Sequence, residues 1–259
     1  MAFFTHSSGE YLQVGDATIY FEVTGNPSGE ALLLLHGGMG NLTDFNGIVD
    51  KLPNQFKLIG MDFRGHGKST LGTSRLSYSQ HQTDAEAVLA HLGIDSFSVL
   101  GFSDGGVAAL RMAAATPSRI KALVAVAAHS QMDPNDPVLP ILKGMTGDKW
   151  KARFPDAVAY YMENNPEADF EALLKAVVLL WTDLEYSAYP GSTIKHISAP
   201  TLVVRGDEDH LYSLACAVEL RDHIKNAAFL NVPHAGHEVY QDAPEVFLAA
   251  VNKFLVHPH

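Results

Sequence analysis

The sequence predicts an α/β domain built on a mostly parallel, eight-stranded sheet that is flanked by helices on both faces. Short apolar runs that suit buried strands alternate with longer amphipathic stretches along most of the chain. Residues 31–35 form a continuous run of alanine and leucine, which is typical of a strand covered by helices on both faces. The length of 259 residues is enough for one large domain with a sizeable core.

The individual elements follow from apolar patterning and from turn and cap residues. The predicted strands cover residues 9–14, 17–24, 31–35, 56–61, 96–102, 120–127, 200–205 and 228–232. Thr43 or Asp44 is the expected cap of a short helix that stops at Pro53, and Ser77 the expected cap of a helix that reaches Leu92. Further helices are expected from residue 104 to about 116 and over residues 214–223 and 244–256.

The alternation of strands and helices breaks between residues 131 and 191. This stretch has no clear buried strand, but it has helical patterns over 155–163 and 166–182, the second with Pro166 at its first position. We therefore predict a small helical cap over 131–191, inserted into a core domain made of residues 1–130 and 192–259. Ordinary crossover helices are the alternative interpretation of this stretch.

Composition and charge exclude several classes of protein. The net charge of −11 makes nucleic acid or an anionic membrane surface an unexpected partner. The single cysteine, Cys216, allows no internal disulfide and no cysteine metal cluster, and we expect it to be a core residue. The first residues lack the pattern of a signal peptide, and the longest apolar run near the N-terminus is too short to span a membrane. We expect a cytoplasmic monomer or homodimer.

The most informative stretch is G-F-S-D-G at residues 101–105, between an apolar strand and a small-residue helix. This context predicts a sharp strand–turn–helix, known as a nucleophile elbow, with Ser103 at its tip. Gly101 and Gly105 have no Cβ atoms to collide where the turn brings the backbone close together. The helix that follows directs its N–H groups at the same point, where an oxyanion would form. Ser103 is therefore the candidate nucleophile.

A serine hydroxyl needs a base to take its proton and a carboxylate to orient that base. Residues 206–209 read G-D-E-D after the strand at 200–205, and residues 233–237 read P-H-A-G-H after the last strand. The carboxyl ends of parallel strands meet at one edge of a sheet, so these segments can converge on the serine. The candidates at this point are Asp207, Glu208 and Asp209 for the acid and His234 and His237 for the base.

An oxyanion needs two hydrogen-bond donors. The backbone N–H of Asp104 and the backbone N–H of Gly38 would supply the pair. Gly38 belongs to H-G-G-M-G at residues 36–40, where glycines let the backbone come close to a substrate.

Five motifs in order resemble the α/β-hydrolase-fold serine hydrolases, and the resemblance covers nearly the whole chain. They are H-G-G-M-G at 36–40, D-F-R-G-H-G-K-S at 62–69, G-F-S-D-G-G at 101–106, R-G-D-E-D at 205–209 and H-A-G-H at 234–237. The resemblance implies that Asp209 is the acid and His237 the base, with Asp207, Glu208 and His234 as alternates. It also implies that Arg64 is a structural ion-pair partner rather than a catalytic residue.

Within this family the sequence is most similar to valacyclovir-hydrolase-like and enol-lactonase-like esterases. The former resemblance implies that an acidic residue directly after the serine, here Asp104, attracts the ammonium group of an α-amino ester. The alternative is a carboxylate that is fixed by local hydrogen bonds and contributes only its backbone N–H.

The predicted function is cofactor-independent hydrolysis of a small carboxylic ester or lactone by a Ser103–His237–Asp209 triad and an acyl-enzyme. Carbon–carbon bond or amide hydrolysis by the same triad, or a receptor-like member with little turnover, are the alternatives. We expect no cofactor and no metal. A site made by His234 and His237 with Asp209 or His210 has suitable spacing, but the triad already explains these residues. Six residues are expected to line a pocket or to form the core of the cap: Trp150, Phe154, Tyr160, Tyr161, Met162 and Trp181.

Overall fold

The fold is an eight-stranded sheet with helices on both faces, in a computed structural model that describes residues 2–258. The strands are β1 (Glu10–Val14), β2 (Ala17–Gly25), β3 (Glu30–Leu35), β4 (Phe56–Met61), β5 (Phe97–Phe102), β6 (Ile120–Val126), β7 (Thr201–Gly206) and β8 (Ala227–Val232). Their order across the sheet is β1-β2-β4-β3-β5-β6-β7-β8. Only β2 runs antiparallel to its neighbours β1 and β4, so the predicted mostly parallel sheet is confirmed.

Helices of regular α type flank the sheet and occupy most of the stretch between β6 and β7. They are α1 (Tyr78–His91), α2 (Asp104–Ala115), α3 (Val138–Lys143), α4 (Gly147–Arg153), α5 (Pro155–Asn164), α6 (Phe170–Thr182), α7 (Leu214–His223), α8 (Val239–Asp242) and α9 (Pro244–Val256). Short 3₁₀ turns cover Leu42–Gly47, Val49–Lys51, Pro117–Arg119 and Gly191–His196.

The central strands carry the core. The four leucines at the end of β3 and all six residues of β5 are buried, as expected for strands covered on both faces. Because β3 and β5 are adjacent and parallel, the loops that follow Leu35 and Phe102 leave the sheet side by side. This pairing places the H-G-G-M-G segment next to Ser103.

Two predictions of helix N-cap residues had different outcomes. Ser77 caps α1 as predicted, because its hydroxyl accepts a hydrogen bond from the backbone N–H of Gln80. The predicted helix from Thr43 or Asp44 to Pro53 is wrong. The chain there forms two 3₁₀ turns. Asn41 is the cap of the first, and the Asp44 carboxylate accepts a hydrogen bond from the Asn41 backbone N–H.

The stretch 131–191 lies between β6 and β7 and contains α3, α4, α5 and α6; we refer to it as the cap segment. Helices α3 and α4 are additional to the two helices that the sequence predicts in this stretch, and they hold or adjoin Pro137, Pro140 and Gly147. Pro140 is tolerated in the first turn of α3, where its nitrogen needs no acceptor, and Thr146 caps α4. The predicted start at Pro166 of the last helix in the cap segment is wrong, since α6 begins at Phe170 and is capped by Asp169.

Within residues 2–258, no helix reaches the length and apolar character that crossing a membrane requires.

Arg64 is a buried ion-pair partner, as the resemblance implied. Its guanidinium donates two hydrogen bonds to Asp84, at 2.6 and 2.9 Å, and one to Asp16 at 2.5 Å. Its Nη2 also donates to the Val14 carbonyl oxygen at 2.8 Å. Arg64 and Asp84 are almost completely excluded from solvent. The ion pairs of Arg64 therefore link α1 to the turn between β1 and β2, which is a structural role.

Replacing Arg64 by alanine is expected to lower the free energy of unfolding by about 3–5 kcal/mol, because Asp84 would be left as an unpaired buried charge. Urea titration followed by circular dichroism measures this change. Arg75→Ala is the matched control: Arg75 pairs with Asp183 in an exposed salt bridge, so its removal should cost about 1 kcal/mol or less. Equal losses in the two variants would contradict the structural role of Arg64.

Candidate active site

Ser103 lies at the tip of a sharp turn between β5 and α2. Its backbone has φ 51° and ψ −115°, and residues other than glycine rarely adopt a positive φ. A Cβ atom at position 101 would collide with the Gly105 carbonyl, and one at position 105 with the Leu35 carbonyl. The two glycines therefore permit the strained turn that presents the Ser103 hydroxyl at the edge of the sheet.

His237 connects Ser103 to an acid. Its Nε2 is 3.2 Å from Ser103 Oγ, and its Nδ1 is 2.8 Å from Asp209 Oδ2. The three residues follow β5, β7 and β8, and His237 lies 134 positions after Ser103 and 28 after Asp209. The His237 side chain is 18% exposed, so the base is open to small molecules while its partner Asp209 is buried. The structure thus brings together all three predicted triad residues.

Asp209 is oriented by two backbone groups besides His237. Its Oδ1 accepts hydrogen bonds from the N–H groups of Leu211 at 2.8 Å and Tyr212 at 3.0 Å. Burial acts to raise the pKa of Asp209, but the hydrogen bond and charge of His237 together with these two amides outweigh it, so the pKa lies below its ordinary value. The carboxylate is therefore ionised and directed at Nδ1 of His237.

The alternates for acid and base lie elsewhere. The Asp207 carboxylate is 55% exposed and accepts a hydrogen bond from the Asn231 side chain. Glu208 and His234 are exposed to solvent, and His234 Nδ1 lies 3.5 Å from Glu208 Oε1. Within residues 2–258, His234 and His237 do not belong to a group whose possible ligand atoms converge.

Two backbone amides lie beside Ser103. Asp104 is the first residue of α2, where a helical N–H has no acceptor within the helix. Gly38 N–H has no hydrogen-bond acceptor in the part of the chain that the structure describes, residues 2–258. A Cβ at position 38 would collide with the Asp104 carboxylate and lie 2.7 Å from Trp181 Cζ2. Only glycine fits this position without displacing its neighbours.

The Asp104 side chain is held by residues that the sequence did not single out for this purpose. Its carboxylate is buried and accepts a hydrogen bond from the Tyr78 hydroxyl at 2.8 Å and from the Trp181 indole Nε1 at 2.9 Å. This arrangement matches the interpretation in which local hydrogen bonds fix the carboxylate. Trp181 belongs to α6, so these bonds connect the cap segment to the turn at Ser103. Tyr78 carried no sequence signal beyond following the helix cap Ser77.

Burial raises the pKa of Asp104 to about 6, although the hydrogen bonds from Trp181 and Tyr78 and the charge of His237 act to lower it. An acid whose pKa is higher in the folded than in the unfolded state loses stability as pH rises between the two values. Relative to Asp104→Asn, the wild type should therefore lose up to about 3 kcal/mol of unfolding free energy between about pH 4 and pH 7. Urea unfolding of both proteins at each pH measures the difference.

Other titrating groups, such as buried Asp44, are present in both of these proteins and cancel in the comparison. A constant difference between wild type and Asp104→Asn across this pH range would show that the raised pKa is absent.

Two buried histidines fix the H-G-G-M-G loop against the D-F-R-G-H-G loop. His36 Nε2 accepts the N–H of Phe63, and His66 Nε2 accepts the N–H of Met39, both at 3.0 Å. Each histidine thus accepts a hydrogen bond from the other loop. Burial holds the pKa of His36 well below its ordinary value and lowers that of His66 to about 4, so both rings are neutral acceptors. These two hydrogen bonds between the loops hold Gly38 in position before any substrate binds.

The other residues that the sequence singled out are a cysteine and aromatic residues of the cap segment. Cys216 is a free, half-buried thiol on α7 that packs against the edge of the main core, so the expectation of a core residue is met only in part. Trp150 and Tyr161 pack against a cluster formed by Val158, Phe170 and Leu174 in the cap segment. Of the aromatic residues considered for a pocket, Trp181 is the one whose polar atom faces the turn at Ser103.

Comparison with known proteins shows the family to which the chain belongs. Residues 30–193 match the sequence profile of the family described as alpha/beta hydrolase fold. The chain is 30% identical over 240 residues to the serine hydrolase BPHL of Mus musculus, covering 87% of this chain and 79% of that one. It is 26% identical over 267 residues to the pimeloyl-[acyl-carrier protein] methyl ester esterase of Nitrosomonas europaea, covering 90% of this chain and 98% of that one.

Among solved structures, the enol-lactonase from Burkholderia xenovorans LB400 superposes with a TM-score of 0.75 at 19% identity, over 96% of this chain and 100% of that one. At this identity the likeness concerns the fold. The chain belongs to the α/β-hydrolase-fold family. The predicted family resemblance and the general class of hydrolase are therefore confirmed.

Proposed function

We propose that this chain is a cofactor-independent serine hydrolase that cleaves a small carboxylic ester or lactone. The observation that carries the proposal is the continuous chain of contacts from Ser103 Oγ through His237 to Asp209. Ionised Asp209 accepts a hydrogen bond from Nδ1–H of His237, which leaves a lone pair on Nε2 facing the serine. This is the protonation state that a general base for Ser103 requires.

In the first half of the reaction, Ser103 Oγ attacks the substrate carbonyl carbon while His237 Nε2 takes the hydroxyl proton. The negative charge that develops on the carbonyl oxygen is stabilised by the backbone N–H groups of Gly38 and Asp104. Each such donor is typically worth about 3 kcal/mol in the transition state. His237 then gives its proton to the leaving alcohol oxygen, and the acyl group remains on Ser103.

In the second half, a water molecule replaces the alcohol. His237 takes a proton from the water as it attacks the acyl-enzyme, and returns it to Ser103 Oγ as the carboxylic acid leaves. Asp209 remains ionised throughout and stabilises the imidazolium form of His237. The same two amides stabilise both tetrahedral intermediates.

The substrate class rests on the neighbourhood of Ser103 and on the relatives. The Asp104 carboxylate is already engaged by Tyr78 and Trp181, which favours an uncharged substrate over an α-amino ester. One relative is named a methyl ester esterase and one structural neighbour an enol-lactonase. Both names describe cleavage of a carboxylic ester bond, which in a lactone is part of a ring. A cytoplasmic location and a monomeric or dimeric state remain predictions from the sequence.

The experiment that tests the proposal is hydrolysis of p-nitrophenyl esters of increasing acyl length, with labelling by a fluorophosphonate probe. We expect turnover on short acyl chains and stoichiometric labelling of Ser103. The dependence on chain length would then measure the acyl side of the site. Labelling without ester turnover would favour amide or carbon–carbon bond hydrolysis, and folded protein that is not labelled would favour a receptor-like member.

A further inference from the structure

A second group of reactive side chains lies outside the triad. It consists of His129 after β6, Asp136 in the loop before α3, and Cys216 in the first turn of α7. One imidazole nitrogen, one carboxylate oxygen and the thiol sulfur all lie within 4.8 Å of one another. The loop between β6 and α3, which holds His129 and Asp136, and the start of α7, which holds Cys216, therefore bring three different ligand types close together.

These groups have little else to bind. Nε2 of His129 is excluded from solvent and has no hydrogen-bond partner within residues 2–258. Asp136 uses Oδ1 to accept the N–H of Val138, which leaves Oδ2 without a protein donor in the described chain. Cys216 is a free thiol. A buried polar atom without a partner costs free energy, so the unpartnered His129 nitrogen indicates that something else satisfies it.

The combination of donors selects the kind of ion. Thiolate and imidazole are ligands that zinc prefers, whereas magnesium and calcium take oxygen ligands. Ligand atoms on a tetrahedral zinc ion lie about 3.5 Å apart, given Zn–N and Zn–S bonds of about 2.0 and 2.3 Å. Side-chain rotations that move the three atoms by about an ångström would close the site. All three residues are partly exposed, although Nε2 of His129 itself is excluded from solvent.

We propose that His129, Asp136 and Cys216 bind one zinc ion, with water in the fourth position. On binding, the Cys216 thiol loses its proton to solvent and the thiolate sulfur forms the metal bond. The ion would connect the loop that enters the cap segment to α7 and to the end of β6. His129 also packs edge-on against Tyr212, with ring centroids 4.8 Å apart, and the Tyr212 backbone N–H holds Asp209. The proposed site therefore lies next to Tyr212, one of the residues that orient Asp209.

Cobalt(II) titration of the full-length chain tests this proposal without relying on turnover. Cobalt replaces zinc with the same geometry and gives visible bands for a tetrahedral site and a near-ultraviolet band for a bound thiolate. We expect both at one ion per chain, and their loss when zinc is added. Cys216→Ser should abolish the thiolate band, and His129→Ala should weaken binding by about tenfold or more.

His234→Ala is the matched control, because His234 is an exposed histidine whose removal should leave both bands unchanged. Circular dichroism and urea unfolding establish that each variant is folded. Equal affinity and spectra in wild type and Cys216→Ser would overturn the proposal. So would an ion that is lost in His237→Ala but retained in His129→Ala, since that result would place the metal at the triad.

Discussion

Replacing Ser103 with alanine is expected to lower kcat/KM for a short p-nitrophenyl ester by about 10⁴-fold or more, since losses of this size follow removal of a triad nucleophile. The hydroxyl is the atom that attacks, and nothing else in the turn can form the acyl-enzyme. Initial rates of p-nitrophenol release, with the fluorophosphonate probe as a second readout, measure the loss. The variant should keep its fold, because Ser103 makes its side-chain hydrogen bond to His237 alone.

The control for this prediction is Ser213→Ala, which removes a hydroxyl that caps α7. It should cost about 1 kcal/mol of stability and leave the rate per folded molecule unchanged. Activity that persists in Ser103→Ala at the wild-type level would refute the mechanism, because the ester would then be cleaved by another group.

Asp209→Asn should lower kcat by about 10⁴-fold with little change in fold, because the amide no longer selects the His237 tautomer that keeps Nε2 free. The leading effect is on protonation: with the proton on Nε2, His237 cannot accept the Ser103 hydroxyl proton. Steady-state kinetics over a pH series measure both kcat and its pH profile. The altered profile separates this orienting role from a general loss of stability.

Asp207→Asn is the matched control, two positions earlier in the same loop. Its carboxylate is exposed and bonded to Asn231, so its neutralisation should leave kcat nearly unchanged. The opposite ranking of the two variants would assign the acid to Asp207 and would require the loop after β7 to rearrange in solution.

The parts of the fold that were predictable from sequence are those with local causes. Continuous apolar runs marked the buried strands, and the motif residues followed the ends of strands whose parallel order brings them to one edge. Local sequence does not show which of Asp207, Glu208 and Asp209 is the acid of the triad, because all three are acidic and adjacent. The identity of the acid depends on which side chain the loop directs at His237, and family resemblance rather than spacing indicated Asp209.

The cap segment was harder to predict because long-range contacts decide its helix boundaries. Asn165 donates from its side-chain amide to the carbonyls of Gly67 and Ser69, nearly a hundred residues earlier. These bonds hold the chain in a turn where Pro166 would otherwise start a helix, and α6 begins only after Asp169. The pairing of Asp104 with Tyr78 and Trp181 was invisible for the same reason, since each partner comes from a different part of the chain.

The position of His237 after the final strand has a consequence for biosynthesis. During translation the H-G-G-M-G loop and Ser103 are synthesised first, and His237 is added more than 130 residues after Ser103. A nascent chain, or one clipped before β8, would carry a serine that nothing deprotonates. Such fragments would be chemically inert toward esters in the cell, so only molecules that have completed the whole sheet would begin to turn over substrate.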